Sequence, residues 1–88
     1  MKYEIGVVRK LGVNQFSEEE SVGTVEADLL GPAKRLASEY IHFWLLDRKI
    51  AVRNQKDWAK DVRRGCQSRE IMATENGKLV ILIFLLHD

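Results

Sequence analysis

Few side chains in this 88-residue chain are of the kinds that do chemistry. There is one cysteine, Cys66, and there are two histidines, His42 and His87. A thiol nucleophile needs a base in reach, a group that orients the base, and donors for an oxyanion. Arg63, Arg64 and Arg69 lie close to Cys66 in sequence and would lower its pKa. The competing reading is a packed, inert thiol. A zinc site needs three or four His, Cys or carboxylate ligands, with spacings such as CxxC or HExxH, and none of those spacings occurs. The six glycines are isolated, so no loop is built to cradle a phosphate. Glu18, Glu19 and Glu20 are consecutive and lack the spacing of a calcium loop. They read as an exposed acidic loop. No catalytic residue, metal ligand or cofactor is therefore expected.

Charge offers more. Net charge is only +1, but its distribution is uneven. Residues 17–28 hold Glu18, Glu19, Glu20, Glu26 and Asp28 with no base. Residues 48–69 hold Arg48, Lys49, Arg53, Lys56, Lys60, Arg63, Arg64 and Arg69 against Asp57 and Asp61 alone. Such asymmetry points to a partner chosen by charge, and its alternative is a solvated exterior. With Trp58 among them, these cations also suit phosphates and stacked bases. No named nucleic-acid motif accompanies them.

The elements that must position these groups follow from hydrophobic spacing. Ala33, Leu36, Ala37, Tyr40, Ile41, Trp44 and Leu45 recur at steps of three and four within residues 28–48. That is one face of a long helix, with Pro32 in its first turn, where a missing N–H costs nothing. Lys34, Arg35, Ser38, Glu39 and His42 take the opposite face. Tyr3, Ile5, Val7 and Leu11 alternate along a first strand, and residues 22–27 form a second, antiparallel to it across a polar loop. Ile50 and Val52 mark a short extended stretch. Asn54 then stands where a helix cap belongs, with Asp57 in the first turn and Gly65 as the stop, which predicts a short basic helix near residues 55–64. Asn76-Gly77 is the preferred pair for a type I′ turn, so residues 69–75 and 78–86 form a hairpin. Residues 79–86 are apolar throughout, as in a central strand covered on both sides. An apolar face left uncovered there would offer a homodimer contact.

The string around Glu26, Ala27, Ala33, Lys34, Arg35 and Ala37 resembles a pattern in small phage-encoded α+β accessory proteins. These include type I-F anti-CRISPR proteins of β-β-α-β-β layout. The acidic loop before the second strand and the closing Gly77-Lys78 hairpin are similar too. The resemblance implies an inhibitor that docks on a CRISPR surveillance complex, a host ribonucleoprotein, with Lys34 and Arg35 as contacts. Residues 41–68 depart from the pattern.

The expectation is a single α+β domain over residues 1–88: an antiparallel sheet of three to five strands, one long amphipathic helix and one short basic helix. A non-enzymatic interaction protein fits best, with Lys34, Arg35 and the eight bases of residues 48–69 facing a host protein, a ribonucleoprotein or nucleic acid. The single cysteine suits a reducing compartment. The N-terminal residues lack a secretory apolar run, and no stretch reaches the ~20 apolar residues of a membrane span, so a cytoplasmic location is expected.

Overall fold

The computed structural model describes residues 1–88. In chain order the elements are β1 (Lys2–Gly12), β2 (Gln15–Phe16), β3 (Glu20–Glu26), α1 (Leu30–Asp47), β4 (Ala51–Gln55), β5 (Ala59–Asp61), β6 (Cys66–Glu75) and β7 (Lys78–His87). All seven strands join one antiparallel sheet. β3 and β2 lie end to end along one edge of β1, and β4 and β5 lie end to end along the outer edge of β6. The sheet is therefore five strands wide, with β7 at its centre between β1 and β6.

The chain crosses from one edge to the other through α1, which lies on one face of the sheet. Ala33 and Ala37 are fully buried, and their small side chains let the helix settle close to the strands. Ile41, Trp44 and Leu45 continue that stripe, against Tyr3, Ile5 and Val7 of β1, Ile71 and Ala73 of β6, and Leu82, Phe84 and Leu86 of β7. Trp44 meets Phe84 edge to face, with ring centroids 5.7 Å apart. Such a pair adds about 0.5–1.5 kcal/mol beyond area burial. The helix starts without a side-chain cap at Leu29. It ends in a Schellman turn. Ile50 N–H donates to Leu45 O and Lys49 N–H to Leu46 O, both at 3.0 Å, while Lys49 takes a φ of 57°. Buried Ile50 packs beneath that turn and secures it.

The Asn76-Gly77 turn forms as expected, with φ of 53° and 77°. β6 and β7 pair without interruption from Glu75 opposite Lys78 to Gln67 opposite Leu86. Other expectations need correction. There is one helix, not two. Residues 51–55 and 59–61 are strands, and residues 62–65 turn between β5 and β6. Asn54 lies at a bulge in β4 and caps nothing. The Asp61 carboxylate accepts from Arg64 N–H at 3.1 Å, and Gly65, at φ 68°, closes a turn and does not stop a helix. Val62, within the predicted helix, is 81% exposed. The physical reason is competition for the backbone. A lone helix of ten residues is marginal in water, whereas strands at these positions fill the open edge of β6. Seven strands replace the three to five expected because β2 and β5 are very short. Four strands follow the helix, of which β6 and β7 are ten residues long.

Candidate interaction surface

Helical geometry sorts the side chains of α1 into three stripes. Ala33, Ala37, Ile41, Trp44 and Leu45 face the sheet. Leu36, Tyr40 and Phe43 run down the flank nearest β3, and Leu46 points outward beside Phe43. Phe43 is 67% exposed and Leu46 59%. Ser38 and His42 run down the flank nearest β4, with Arg35 beside them. Tyr40, assigned to the buried face by its spacing, instead lies over Gly23, where a Cβ would come within 2.5 Å of the ring.

Two recesses flank the helix. On the β3 side one of about 780 Å³ is lined by Val22, Tyr40, Phe43, Trp44, Leu46 and Arg48, among others. Arg48, in its lining, belongs to an ionic network. Arg9 grips Glu75 through both carboxylate oxygens, at 3.0 and 2.7 Å. Arg9 also lies 3.5 Å from Glu20. Glu20 in turn accepts from Arg48 at 3.4 Å, and the Arg48 guanidinium stacks 4.0 Å above Trp44. The hydrogen bonds from Arg9 hold the Glu75 carboxyl below its ordinary pKa, and the same contact raises that of Arg9.

On the β4 side the Ser38 hydroxyl is a hub. It donates to Lys34 O at 2.9 Å and accepts from Trp58 Nε1 and Arg69 Nη1, both at 2.9 Å. Arg69 Nε donates to Lys56 O at 2.7 Å. Arg69 and Trp58 thus tie the segment after β4 to β6 and to the helix. Trp58 packs against the core and is not free to stack on a base.

The ten cations singled out by sequence do not form one patch. Arg48 is matched by Glu20, Lys56 by Glu70 at 2.9 Å, and Arg64 by Asp61 at 3.3 Å, with Arg64 stacked on Phe16. Arg69 is engaged as described. Lys34, Arg35, Lys49, Arg53, Lys60 and Arg63 form no ion pair. Of these, Arg35 shares a recess with Arg69, His42 and Gln55 between α1 and β4. Lys49 and Arg53 stand just before and within β4. Lys60 sits near Cys66 and Arg63 near Phe16, both away from that recess. Sequence reasoning missed Phe43, Leu46 and the free edge of β4. The available signal was two bulky apolar residues falling outside the 33-37-41-44-45 stripe.

His87 Nε2 lies 2.9 Å from Glu19 Oε2, whose side chain covers Gly6 on the far side of the sheet. Burial pushes the Cys66 thiol above its ordinary pKa, and the nearby carboxylates of Asp61 and Glu19 push it further, outweighing Arg64. No group of three His, Cys, Asp or Glu side chains is placed to hold a metal ion. No helix is long and apolar enough to cross a membrane. β7 has both edges paired, so a second copy could meet only its back face. There Leu79 is exposed, Ile81 and Ile83 are half-buried, and Leu85 is buried.

Fold and surface together define a two-layer α+β protein with one helix on an antiparallel sheet and a mixed apolar and cationic helix exterior. Comparison with family models, curated proteins and solved structures finds no match to this chain.

Proposed function

We propose that this chain is a non-enzymatic interaction protein that works by covering a surface of another macromolecule. The observation that carries this reading is the outward side of α1. Leu36, Tyr40, Phe43 and Leu46 are all exposed on a single helix, and Phe43 borders the recess that holds the unpaired Arg35. Aromatic anchors next to arginine are the composition of binding hot spots, and a contiguous apolar patch of this kind marks a contact site. The target class, a host nucleic-acid machine such as a CRISPR surveillance complex met by a phage-encoded inhibitor, is drawn from the resemblance around residues 26–37. Inhibition would be steric and electrostatic.

Affinity capture from a host lysate, with and without nuclease, tests the reading. Wild type should retain a partner that survives nuclease. The double variant Phe43→Ser/Leu46→Ser should lose it while keeping its circular dichroism spectrum, since both side chains already face water. Capture unaffected by that variant would sink the proposal. Capture abolished by nuclease, with affinity for plain DNA or RNA falling steeply with salt, would favour direct nucleic-acid binding instead.

A further inference from the structure

α1 does not settle evenly on the sheet. It approaches β3 more closely than β4. Between α1 and β4 runs a groove of about 370 Å³, with Ile41, Leu45, Ile50 and Ile71 along its floor and Val52 at its mouth. That volume falls within the range of about 300–1,000 Å³ typical of ligand sites. At one end the groove opens into the recess where Arg35, His42, Gln55 and Arg69 meet, with Glu39 as the one carboxylate.

The outer wall is β4, a strand exposed at every residue. β6 pairs with its inner side and nothing pairs with its outer side. A free strand edge offers N–H and C=O groups that extended chains use for pairing. Set beside a helix and an apolar groove, it matches the geometry of strand addition, where the backbone gives affinity and pocketed side chains give specificity.

We infer that the groove between α1 and β4 takes an extended acidic segment of a partner protein, paired to β4 as an added strand, with an apolar side chain in the groove and a carboxylate at Arg35 and Arg69. The inference rests on the docking reading above and names what docks there. Charge selects the occupant. β4 carries Arg53 and no acid, and Lys49 stands just before it. Arg35 has no ionic partner, and Arg69 spends Nε and Nη1 on Lys56 and Ser38, leaving Nη2 to donate. A second copy is a poor occupant. Two β4 edges would set the Arg53 side chains against each other, and the bulge between Val52 and Asn54 breaks the regular register.

Panning a random-peptide display library on the full chain, followed by hydrogen exchange of the selected complexes, tests this directly. Selected peptides should alternate β-branched or aromatic residues with polar ones and carry Asp or Glu. They should slow amide exchange across residues 51–55. Arg35→Glu and, separately, Val52→Glu should each weaken them about tenfold. Both residues are exposed, so neither change removes a core contact. Selection of no peptide, selection of basic peptides, protection confined to α1, or binding indifferent to both variants would each overturn the inference. The two readings fail separately. A lysate partner lost by Phe43→Ser/Leu46→Ser but kept by Val52→Glu leaves docking standing and removes strand addition, whereas a wild-type chain that captures no partner removes docking itself.

Discussion

Replacing Ser38 by alanine tests the hub that holds the β4 side of the molecule together. The hydroxyl is saturated: one bond donated to Lys34 O, and two accepted from Trp58 Nε1 and Arg69 Nη1. Ser38→Ala leaves an indole N–H and a guanidinium N–H without their acceptor in a part-buried site. A neutral bond contributes about 1 kcal/mol net and one to a charged donor ~1.5–3 kcal/mol. Water reaches Arg69, so we take about 1 kcal/mol for each. Alanine returns about 0.5 kcal/mol through its higher helix propensity. The net loss is about 1.5 kcal/mol, or a fall in Tm of roughly 6–12 °C for a domain of this size. Urea unfolding followed by tryptophan fluorescence should show a lower midpoint with an unchanged slope. Trp58→Phe keeps an aromatic ring, smaller than the indole, and removes the N–H. Made in both backgrounds, it closes a double-mutant cycle whose coupling should be about 1 kcal/mol. A Ser38→Ala variant as stable as wild type, or more stable, would refute the reasoning and leave helix propensity as the only effect of the hydroxyl.

Two further expectations concern titration. Arg9 holds the Glu75 carboxyl below its ordinary pKa of 4.5, so the pair stabilises the fold above that value, and the contribution disappears as pH falls through the lowered folded-state value. Glu75→Gln should therefore cost about 1–2 kcal/mol at pH 7, and its urea midpoint should converge with that of wild type in strong acid; a gap that stays constant with pH would show the ion pair to be irrelevant. The Cys66 thiol, raised by burial and by Asp61 and Glu19, should react with iodoacetamide at neutral pH more slowly than a free thiol and speed up in urea; labelling at least as fast as free cysteine in the folded protein would contradict the placement of those groups.

How much of this was legible in sequence depended on how local the cause was. The Asn76-Gly77 turn was readable because two adjacent residues that tolerate positive φ nearly dictate it. The helix was readable because five of its buried residues repeat at helical spacing. The fate of residues 48–69 was not, because its causes are distant. Asn54, Asp57 and Gly65 are genuine helix punctuation, but they compete with the empty edge of β6, which lies after them in the chain. The serine that captures Trp58 and Arg69 lies twenty residues before the first of them and thirty-one before the second. No window along the sequence contains both halves of that interaction. The same distance explains the cations. Composition shows eight bases in a row of twenty-two residues, but only the fold reveals that Glu20, Glu70 and Asp61 answer three of them.

The groove beside β4 has its origin on both sides of the helix. On the β3 side Gly23 has no side chain, and the Tyr40 ring lies where one would be, so the helix can come down onto that edge. On the β4 side the space beneath the helix is held by polar atoms that must keep their hydrogen-bond distances. Ser38, Trp58 and Arg69 act there as a spacer that cannot be compressed as an apolar contact can. A close approach at one edge and a fixed stand-off at the other leave α1 nearer β3 than β4. That asymmetry leaves Ile41, Leu45 and Ile71 lining a channel that opens along an unpaired strand. Arg69 belongs to both parts of this arrangement, since it sets the stand-off with two of its nitrogens and keeps the third for whatever enters.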